Sequence, residues 1–554
     1  MTHDVELTTS YRGADTLPPL WNLTLGDLLR DLAREFPHRV GFVESLPERT
    51  RRWTYAELFG RAEQAAHALL GRFEPGDRIA VWAPNCAEWV LLQHGAAMAG
   101  MVLVTVNPAY LAEEVRHVLK ASGAAGIFHA PDYRGKDMAA IVHDLKTELP
   151  LLKHAFDLSR WEEFVSTADS SRSLPAVSPR DVVQIQFTSG TTGKPKGAQL
   201  HHLGIINASR FAAQRAGFPE GGVWGTAMPL FHVGGCAGSQ LGALTSRGTF
   251  VLQPNFDAGD MLRIVDEERI NHLHAVPTMV VRILDHPERS HYRLDSLRTL
   301  MSGGSPVPES LIRRAREELG CRFTITFGQT ELNGVVCQTL LNDSVDRQTR
   351  TIGTPLPHME IKIADPETGD VLPLGQPGEI WARGYQVMCG YYNLPKDLKD
   401  AVVGDGWLKT GDVASMDAAG YLRIRGRLKD CIIRGGENIY PSEIEHVLLG
   451  HPAVGEVSVV GVPDDHWGEI VAAVVRLKTE GAKPAALDLY RYCRARLAAY
   501  KAPVKWFYVA QMPTTSSGKV QKFALKELVA SGQLLPEPFE KPVSERFTAG
   551  ARSG

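Results

Sequence analysis

The chain has 554 residues, 44% of them hydrophobic, which allows a large buried core and exceeds the length of one ordinary domain. Its 60 Lys and Arg residues against 63 Asp and Glu residues give a net charge of −3, which argues against a general polyanion-binding surface, so any anion site must be local. Seven scattered cysteines without a CxxC pair disfavour a disulfide framework and a structural zinc site, and favour a reducing cytoplasm.

Neither a secretory signal nor a membrane span is predicted. Residues 1–20 lack a basic segment followed by an apolar one. The most apolar long run, residues 79–106, is interrupted by Asn85, Glu88, Gln93 and His94. We therefore expect a soluble, cytoplasmic protein without a transmembrane anchor.

The N-terminal half shows a β-α-β rhythm. Residues 77–83 and 101–107 are predicted as buried strands, with a helix over residues 88–100 between them. This order predicts an α/β fold with a largely parallel sheet. Residues 181–187 form another predicted strand, and after a glycine-rich loop the apolar spacing from Ile205 to Ala216 predicts a helix. A strand, a glycine-rich loop and a helix are a favourable context for phosphate binding.

The loop FTSGTTGKPKG, residues 187–197, is not a Walker A motif. Only two residues separate Gly190 from Gly193, and GxxxxGK[ST] occurs nowhere in the chain, which excludes a P-loop NTPase and weakens a kinase interpretation. The loop offers hydroxyl donors, glycines that let backbone N–H groups turn inward, and positive charge. By itself it is as compatible with a solvated surface turn as with a phosphate site.

Four further segments carry candidate chemistry. FGQTE, residues 327–331, offers a hydroxyl for a phosphate oxygen and a carboxylate for Mg²⁺, and WLKTGD, residues 407–412, a carboxylate for ribose hydroxyls. GRLKD, residues 426–430, contains an arginine at a predicted pivot. TTSSGKVQK, residues 514–522, places a lysine in a Ser/Gly loop. Taken singly, each has an ordinary structural interpretation as a strand end, a turn aspartate or a solvated lysine.

The C-terminal third changes character. From about residue 351, short strands joined by Pro/Gly turns predict an antiparallel subdomain. A second break near residues 426–441 divides the chain into a domain at 1–428, a small α+β domain at 429–534 and a frayed tail at 535–554. Within the small domain, we predict helices over residues 441–450 and 487–502, with a strand over 456–462 between them.

In this order, the motifs resemble those of the adenylate-forming superfamily of acyl-CoA synthetases, peptide-synthetase adenylation domains and beetle luciferases. The resemblance runs from about Leu23 to about Leu528. Besides the segments above it includes MPLFHVGG (228–235), MSGGSPV (301–307) and GRLKDCIIRGGENIYPSEIE (426–445). It implies a large N-terminal domain of mainly parallel sheets with helices and a small antiparallel subdomain, followed by a small mobile C-terminal domain.

The resemblance implies two half-reactions. A carboxylate attacks the α-phosphate of ATP to give acyl-AMP and pyrophosphate, and the thiol of CoA then displaces AMP. The cofactors implied are ATP, Mg²⁺ and coenzyme A, and the partners are a carboxylic acid and CoA or a carrier-protein phosphopantetheine. No nucleic-acid partner is expected, and the only ground for a homodimer is analogy with the family.

The resemblance also assigns residue roles. The loop closes on the β- and γ-phosphates, Thr330 contacts the α-phosphate, Glu331 holds Mg²⁺, and adenine lies between Phe327 and the strip at 303–305. Many relatives have tyrosine where Phe327 stands, so no role that needs the hydroxyl is expected. Asp412 binds the ribose with Arg427 beside it. The nucleotide-binding residues implied are Thr188, Ser189, Gly190, Thr191, Thr192, Gly193, Lys194, Lys196, Gly303, Gly304, Ser305, Phe327, Gly328, Gln329, Asp412 and Arg427.

The catalytic residues implied are Lys519, Thr330, Glu331 and His232. Lys519 is placed between the substrate carboxylate and the α-phosphate as these two anions approach each other. A pair of opposite charges at 4 Å interacts by roughly 4 kcal/mol at an effective dielectric near 20. The small domain is expected to pivot at Lys429 and to bring a CoA-binding segment to the site for the second step. That segment contains Arg434, Gly435 and Gly436.

The acid is less well defined by the sequence. The implied acyl pocket contains His232, at the junction with the pantetheine tunnel, together with Val233, Gly234, Gly235, Cys236, Gly334 and Val335. Its glycines and apolar side chains, without an evident cation, favour an apolar monocarboxylic acid of the fatty, aryl or polycyclic type.

Three alternatives stand beside an ATP-dependent acyl-CoA ligase. One is an acyl-AMP ligase that loads a carrier-protein phosphopantetheine. Another is a homologue that binds nucleotide or acyl-adenylate without activating acids, against which the intact Lys519, Glu331, Thr330 and Asp412 argue. A kinase or GTPase would give ADP or GDP with phosphate instead of AMP with pyrophosphate.

Overall fold

The computed structural model describes residues 6–188, 195–394, 396, 400–478, 483–514 and 520–540. The chain divides into two compact units. The first comprises Met1–Lys362, Trp381–Thr410 and Asp417–Arg423, and the second comprises Ile363–Ile380, Gly411–Met416 and Ile424–Gly554. The domain boundary at 428/429 stays a prediction.

The strands, in chain order, are β1 (Tyr11–Arg12), β2 (Val40–Ser45), β3 (Thr50–Thr54), β4 (Arg78–Trp82), β5 (Val102–Val106), β6 (Gly126–His129), β7 (Asp132–Tyr133), β8 (Lys136–Asp137), β9 (His154–Asp157), β10 (Val182–Thr188), β11 (Lys196–His201), β12 (Val223–Thr226), β13 (Thr249–Leu252), β14 (His272–His274), β15 (Thr299–Gly303), β16 (Arg322–Gln329), β17 (Gly334–Gln338), β18 (Thr354–Pro355), β19 (Met359–Ala364), β20 (Gly378–Gly384), β21 (Gly390–Tyr391), β22 (Val402–Val403), β23 (Trp407–Met416), β24 (Leu422–Arg427), β25 (Ile432–Arg434), β26 (Glu437–Ile439), β27 (Val454–Asp464), β28 (Gly468–Leu477) and β29 (Lys505–Tyr508).

The helices are α1 (Leu25–Glu35), α2 (Tyr55–Leu70), α3 (Ala87–Met98), α4 (Ala112–Ser122), α5 (Met138–Glu148), α6 (Trp161–Val165), α7 (His202–Arg215), α8 (Gln240–Thr245), α9 (Ala258–Glu267), α10 (Pro277–Leu284), α11 (Glu309–Glu318), α12 (Val345–Arg350), α13 (Pro441–Leu449), α14 (Ala486–Arg494) and α15 (Lys522–Ala530). Helices α1 and α2 begin at capping boxes, in which Thr24 pairs with Asp27 and Thr54 with Glu57.

Two sheets organise the first unit. The seven-stranded sheet has the order β21-β11-β10-β5-β4-β6-β9, and its strands from β10 to β9 are parallel. The nine-stranded sheet has the order β18-β17-β16-β15-β14-β12-β13-β2-β3 and is parallel from β16 to β2. Buried aliphatic side chains on the strands pack against the flanking helices. The predicted α/β class with largely parallel sheets is confirmed.

One local prediction in this unit is wrong. Strand β11 lies between the glycine-rich segment and helix α7, so the segment joins two antiparallel strands and does not lead directly into a helix. Alternation in the short run KGAQLH was masked by its small and polar residues, although Ala198 and Leu200 are buried. Antiparallel pairing also occurs between β1 and β19 and between β22 and β23, in agreement with the subdomain predicted from about residue 351.

The second unit contains a five-stranded sheet of order β26-β25-β28-β27, with β29 parallel to β28. The long hairpin β27–β28 buries both faces, because alternate residues belong to two different clusters. The predicted helix over 487–502 is too long: α14 ends at Arg494, and a short 3₁₀ turn covers Ala499–Lys501. Of the tail, Glu537 N donates to the carbonyl of Trp506 at 2.7 Å, and the ring of Phe539 lies 5.0 Å from that of Tyr490.

Candidate active site

The glycine-rich segment is bracketed by two paired residues. Thr188, the last residue of β10, lies opposite Lys196, the first residue of β11. Between them, Ser189, Gly190, Thr191, Thr192, Gly193 and Lys194 lie outside the described residues. The Lys196 ammonium lies 5.4 Å from the ring centroid of Tyr391, which is within the range of a cation–π contact. The phosphate-binding role of this segment stays a prediction.

A carboxylate is held beside the end of β10. Glu331 stands on a 3₁₀ turn, Thr330–Leu332, that follows β16. Its Oε1 accepts hydrogen bonds from Thr188 Oγ1 at 3.1 Å and from the Tyr391 hydroxyl at 3.0 Å. Bonds to an ionised acceptor are roughly twice as strong as neutral ones, so two elements of the seven-stranded sheet fix the position of this carboxylate.

Asn333 anchors the turn that carries Thr330 and Glu331. Its backbone is left-handed (φ 55°) and its N–H donates to the carbonyl of Thr330 at 3.0 Å. Its fully buried side chain accepts from His201 N at 3.2 Å and donates to the carbonyl of Gln386 at 2.8 Å. A Cβ on Gly204 would lie 2.5 Å from Asn333 Cγ, so only glycine allows helix α7 this close. Together these contacts fix the turn relative to β11 and α7.

Neither Asn333 nor Tyr391 was predicted from the sequence as a site residue. A signal for Asn333 exists, since asparagine tolerates left-handed backbone and stands directly before Gly334. Tyr391 carries no comparable signal, because its hydroxyl meets Glu331 through the pairing of β21 with β11, far along the chain.

The predicted adenine-binding residues lie at adjacent strand ends of the nine-stranded sheet. Gly303, at the end of β15, is in register with Thr326 on β16, and Phe327 follows on the same strand. Gly304 and Ser305 come directly after β15 and are exposed. Gly328 and Gln329 close β16, where Gln329 Nε2 donates to the carbonyl of Thr410 at 3.0 Å. The carboxyl ends of parallel strands are the usual place for ligands in such sheets.

The predicted acyl-pocket residues gather around a π-helix, Gly234–Ser239, that continues into α8. Such π-helical turns are frequent at functional sites. Gly234 N donates to Nδ1 of His232 at 3.1 Å, which leaves the neutral ring its proton on Nε2. A Cβ on Gly334 would lie 3.6 Å from Val233, so the start of β17 faces this turn.

Gly235 and Cys236 lie within this π-helix, whereas Val335 follows on β17. Cys236 is fully buried, and burial raises the pKa of its thiol to about 12, so the thiol is not ionised near neutral pH. Val335 packs with Phe211, Ala212 and Leu356.

In the second unit, Asp412 and Arg427 form an ion pair with Arg427 Nε 3.0 Å from Asp412 Oδ1. The Asp412 side chain is 7% exposed and that of Arg427 48%, so the pair presents its arginine to solvent. Lys429 stands on the 3₁₀ turn Leu428–Asp430 directly after β24. The structure therefore brings together the two residues that the sequence assigns to the ribose.

The predicted CoA-binding residues form the tight hairpin between β25 and β26. Arg434 donates to the carbonyl of Tyr500 at 2.6 Å, and its guanidinium lies 5.3 Å from the ring centroid of Trp467. Gly435 is left-handed (φ 58°), its N–H donates to the Trp467 carbonyl at 2.8 Å, and a Cβ there would lie 2.8 Å from Trp467 Cε3. Gly436 follows and is exposed. Trp467 is thus part of the same surface.

Lys519, the predicted catalytic lysine, lies outside the described residues. Helix α15 begins three residues later, at Lys522, whose Nζ donates to Glu445 Oε1 at 2.7 Å. The assignment of Lys519 stays a prediction.

Comparison with known proteins defines the class. A family model described as AMP-binding enzyme matches residues 29–392, and one described as AMP-binding enzyme C-terminal domain matches residues 443–519. The chain belongs to this family of AMP-binding enzymes and is an AMP-forming acid–thiol ligase of the acyl-CoA synthetase type. The kinase and GTPase alternative is thereby excluded.

Individual relatives agree with this class. The chain is 38% identical over 533 residues to a putative acyl-CoA synthetase, YngI, of Bacillus subtilis, covering 91% of this chain and 96% of the relative. It is 35% identical over 542 residues to the mitochondrial medium-chain acyl-CoA ligase ACSF2 of Bos taurus, covering 92% and 88%. The structure of ATP-bound MatB from Rhodopseudomonas palustris superposes with a TM-score of 0.81 at 28% identity, covering 91% and 99%. Across the described residues, we find no helix long and apolar enough to cross a membrane.

Proposed function

We propose that this acyl-CoA ligase activates a largely apolar monocarboxylic acid as acyl-AMP and then transfers the acyl group to CoA. The observation that carries the first step is the Glu331 carboxylate, fixed by Thr188 and Tyr391 at the end of the strand that leads into the glycine-rich segment. ATP-dependent activation also agrees with the ATP-bound structure of MatB, which has the same fold.

A magnesium ion fits these residues. Mg²⁺ prefers oxygen ligands and is usually bound through one or two carboxylates together with substrate phosphates. Glu331 offers such a carboxylate, and the two neutral donors on its Oε1 orient it without neutralising its charge. When bound, the ion would offset the charge of the phosphates, while Thr330 on the same turn would donate its hydroxyl to the α-phosphate.

The first half-reaction forms a bond between a carboxylate oxygen and the α-phosphorus and breaks the bond from that phosphorus to the oxygen bridging it to the β-phosphorus. Pyrophosphate leaves, and we assign its stabilisation to the segment from Thr188 to Lys196. Lys519 would offset the two negative charges that approach each other. Asp412 and Arg427 would orient the ribose of the nucleotide, because a carboxylate accepts from both ribose hydroxyls.

The second half-reaction forms a bond from the thiol sulfur to the acyl carbon and breaks the bond from that carbon to AMP, while the thiol proton passes to solvent. We assign the approach of the pantetheine arm to the hairpin Arg434–Glu437 and His232 to the inner end of its path. The glycines there present backbone without side chains, which suits a thin ligand that passes closely.

A pyrophosphate-release assay over a panel of straight-chain, branched, aryl and polycyclic acids tests this proposal. The expected result is acid-dependent pyrophosphate release that proceeds to AMP and a thioester when CoA is added. Release without any acid, or none with any acid, would contradict it. Replacing CoA by a holo-carrier protein in the same assay separates the two acceptors, since the proposal requires the higher turnover with CoA.

A further inference from the structure

Three buried glutamines of the first unit, Gln93, Gln184 and Gln186, contact Cys236, and a fourth, Gln240, contacts the buried His94. We call these five side chains the amide cluster. Each is at most 3% exposed. They come from helix α3, strand β10 and helix α8, so three separate elements direct polar groups to one place. Apart from His232, the pocket residues predicted from the sequence are small or apolar, so a group of buried amides beside them was not predicted.

Direct contacts join the cluster to the π-helix. Gln93 Nε2 donates to the Cys236 carbonyl at 3.3 Å, and Gln186 Nε2 lies 3.3 Å from Cys236 Sγ. Cys236 Sγ lies 3.7 Å from Gln184 Oε1. One turn further on, Gln240 Nε2 lies 2.7 Å from His94 Nε2. The cluster therefore borders the turn to which the acyl pocket is assigned.

Four atoms of the cluster are buried without a hydrogen-bond partner: Gln93 Oε1, His94 Nδ1, Gln184 Nε2 and Gln240 Oε1. A buried polar atom left unpaired costs roughly 1–3 kcal/mol, so four such atoms on five neighbouring side chains favour a ligand that pairs them. In contrast, the equally buried Gln348 has both amide atoms paired, with Phe323, Leu340 and Arg316.

The unpaired atoms are complementary in type. An amide NH₂ can only donate, so Nε2 of His94 accepts from Gln240, and the neutral ring carries its proton on Nδ1. The four unpaired atoms are therefore two donors, His94 Nδ1–H and Gln184 Nε2–H, and two acceptors, the Oε1 atoms of Gln93 and Gln240. A hydroxyl group both donates and accepts, whereas a carbonyl only accepts. The neutral cluster offers no cation to a second carboxylate.

The cluster is aligned with the reacting end of the site. Gln184, Gln186 and Thr188 are alternate residues of β10, so their side chains lie on the same face of the strand. Thr188 contacts Glu331, and at about 3.3 Å per residue the two glutamines lie roughly 7 and 13 Å from Thr188 along the strand. An acyl chain that starts near Thr188 and runs along β10 reaches the cluster with its middle or far end.

We propose that the amide cluster binds a hydroxyl group on the acyl chain, so that the preferred substrates are hydroxylated carboxylic acids. This inference rests on the proposed function, because it specifies the acid of the same acyl-activating site. The glutamines and His94 act in specificity and take no part in the chemical steps.

Acid-dependent ATP–pyrophosphate exchange with the full chain tests the proposal. Each straight-chain acid, in a series of increasing length, is compared with a set of analogues that carry one hydroxyl at successive positions. It is also compared with the corresponding dicarboxylic acid. We expect kcat/KM for the best hydroxylated analogue to exceed that for the unsubstituted acid by about tenfold or more, since a site built to pair a hydroxyl discriminates against its absence. The dicarboxylic acid should be the poorest of the set.

Two variants test whether the preference for a hydroxylated acid depends on the amide cluster. Gln184→Met and Gln240→Met keep similar volume but remove the amide, and either should bring the ratio of hydroxylated to unsubstituted acid close to one. Gln348→Met removes a buried amide whose partners lie elsewhere, and it should lower stability and leave the ratio unchanged. Unchanged ratios in both cluster variants would overturn the assignment.

The outcomes separate the two proposals. Exchange with unsubstituted acids that no hydroxyl position improves would overturn the inference and leave acyl activation intact. It would mean that water pairs the buried amides. Absence of exchange with every acid would overturn the proposed function itself, and the inference with it.

Discussion

The Tyr391 hydroxyl and the Glu331 carboxylate are 3.0 Å apart, and the oxygen of Glu331 that accepts this bond also accepts one from Thr188. Tyr391 lies on β21, which pairs with β11 on the far side of the glycine-rich segment. The carboxylate assigned to Mg²⁺ is therefore bonded to β10, which precedes that segment, and to β21, which pairs with the strand that follows it. We infer that loading of the ion and placement of the phosphates depend on the same few contacts.

Tyr391→Phe tests this positioning role. Loss of one hydrogen bond to a charged acceptor should lower kcat/KM for pyrophosphate exchange by about tenfold, and the Mg²⁺ concentration for half-maximal rate should rise. Tyr392→Phe removes the neighbouring hydroxyl and serves as the control. Equal effects of the two substitutions, or an unchanged Mg²⁺ requirement in Tyr391→Phe, would contradict the role.

Lys519→Ala tests the assigned catalytic charge. We expect pyrophosphate exchange to fall by about 100-fold or more, the range found when one preorganised donor to a developing charge is removed. Thioester formation from supplied acyl-adenylate and CoA should be largely retained. Lys526→Ala, on helix α15, provides a lysine control in the same region. Exchange near the wild-type rate in Lys519→Ala would refute the assignment.

Gly435→Ala tests the CoA-binding hairpin. The added Cβ would lie 2.8 Å from the Trp467 ring at a left-handed position, so the hairpin must shift. Thioester formation from supplied acyl-adenylate should fall by about tenfold, mainly through a higher KM for CoA, while pyrophosphate exchange changes little. Gly532→Ala introduces left-handed strain (φ 73°) with no atom nearby and controls for stability. A larger loss in exchange than in thioester formation would exclude this assignment.

His202 makes stability depend on pH. It is almost fully buried, and desolvation lowers its pKa from 6.5 to about 4, while its Nδ1 accepts from Leu25 N at 3.1 Å. Between pH 6.5 and about pH 4, His202 binds a proton in the unfolded state that it does not bind in the folded state. The contribution of its neutral, buried ring to the free energy of unfolding is therefore complete above pH 6.5 and decreases as the pH falls towards 4.

His202→Asn should reduce this acid sensitivity, since the Asn Oδ1 replaces Nδ1 as acceptor for Leu25 N. Over that interval, the slope of the free energy of unfolding should decrease by up to about 1.4 kcal/mol per pH unit. Denaturant unfolding at several pH values measures it, with the exposed His38→Asn as control. An unchanged slope in His202→Asn would contradict the assignment.

The sequence predicted those parts of the fold in which a local pattern sets the structure. The unit β4-α3-β5 was predicted because its buried runs and helical spacing are uninterrupted. Strand β11 was missed because glycine and polar residues weaken its alternation, and its partner β10 decides its conformation. Helix α14 ends earlier than its apolar spacing indicates, since Leu497 continues the pattern beyond Arg494 without continuing the helix.

The same distinction applies to the site. Glu331 and Asp412 could be found because they stand in continuous motifs. Tyr391, Asn333 and the amide cluster depend on contacts between segments that are far apart in the chain, and buried glutamines have no local signature. Their chemistry emerges only when the unpaired atoms of β10, α3 and α8 are seen together.

The central claim is that the acid carboxylate attacks the α-phosphate of ATP. The most direct measurement is a single turnover with an acid labelled with oxygen-18 in its carboxylate, followed by mass analysis of every phosphate-containing product after CoA is added. The account predicts one labelled oxygen in AMP and none in pyrophosphate, with a second label retained in the thioester carbonyl. Label in inorganic phosphate, formation of ADP, or unlabelled AMP would contradict it.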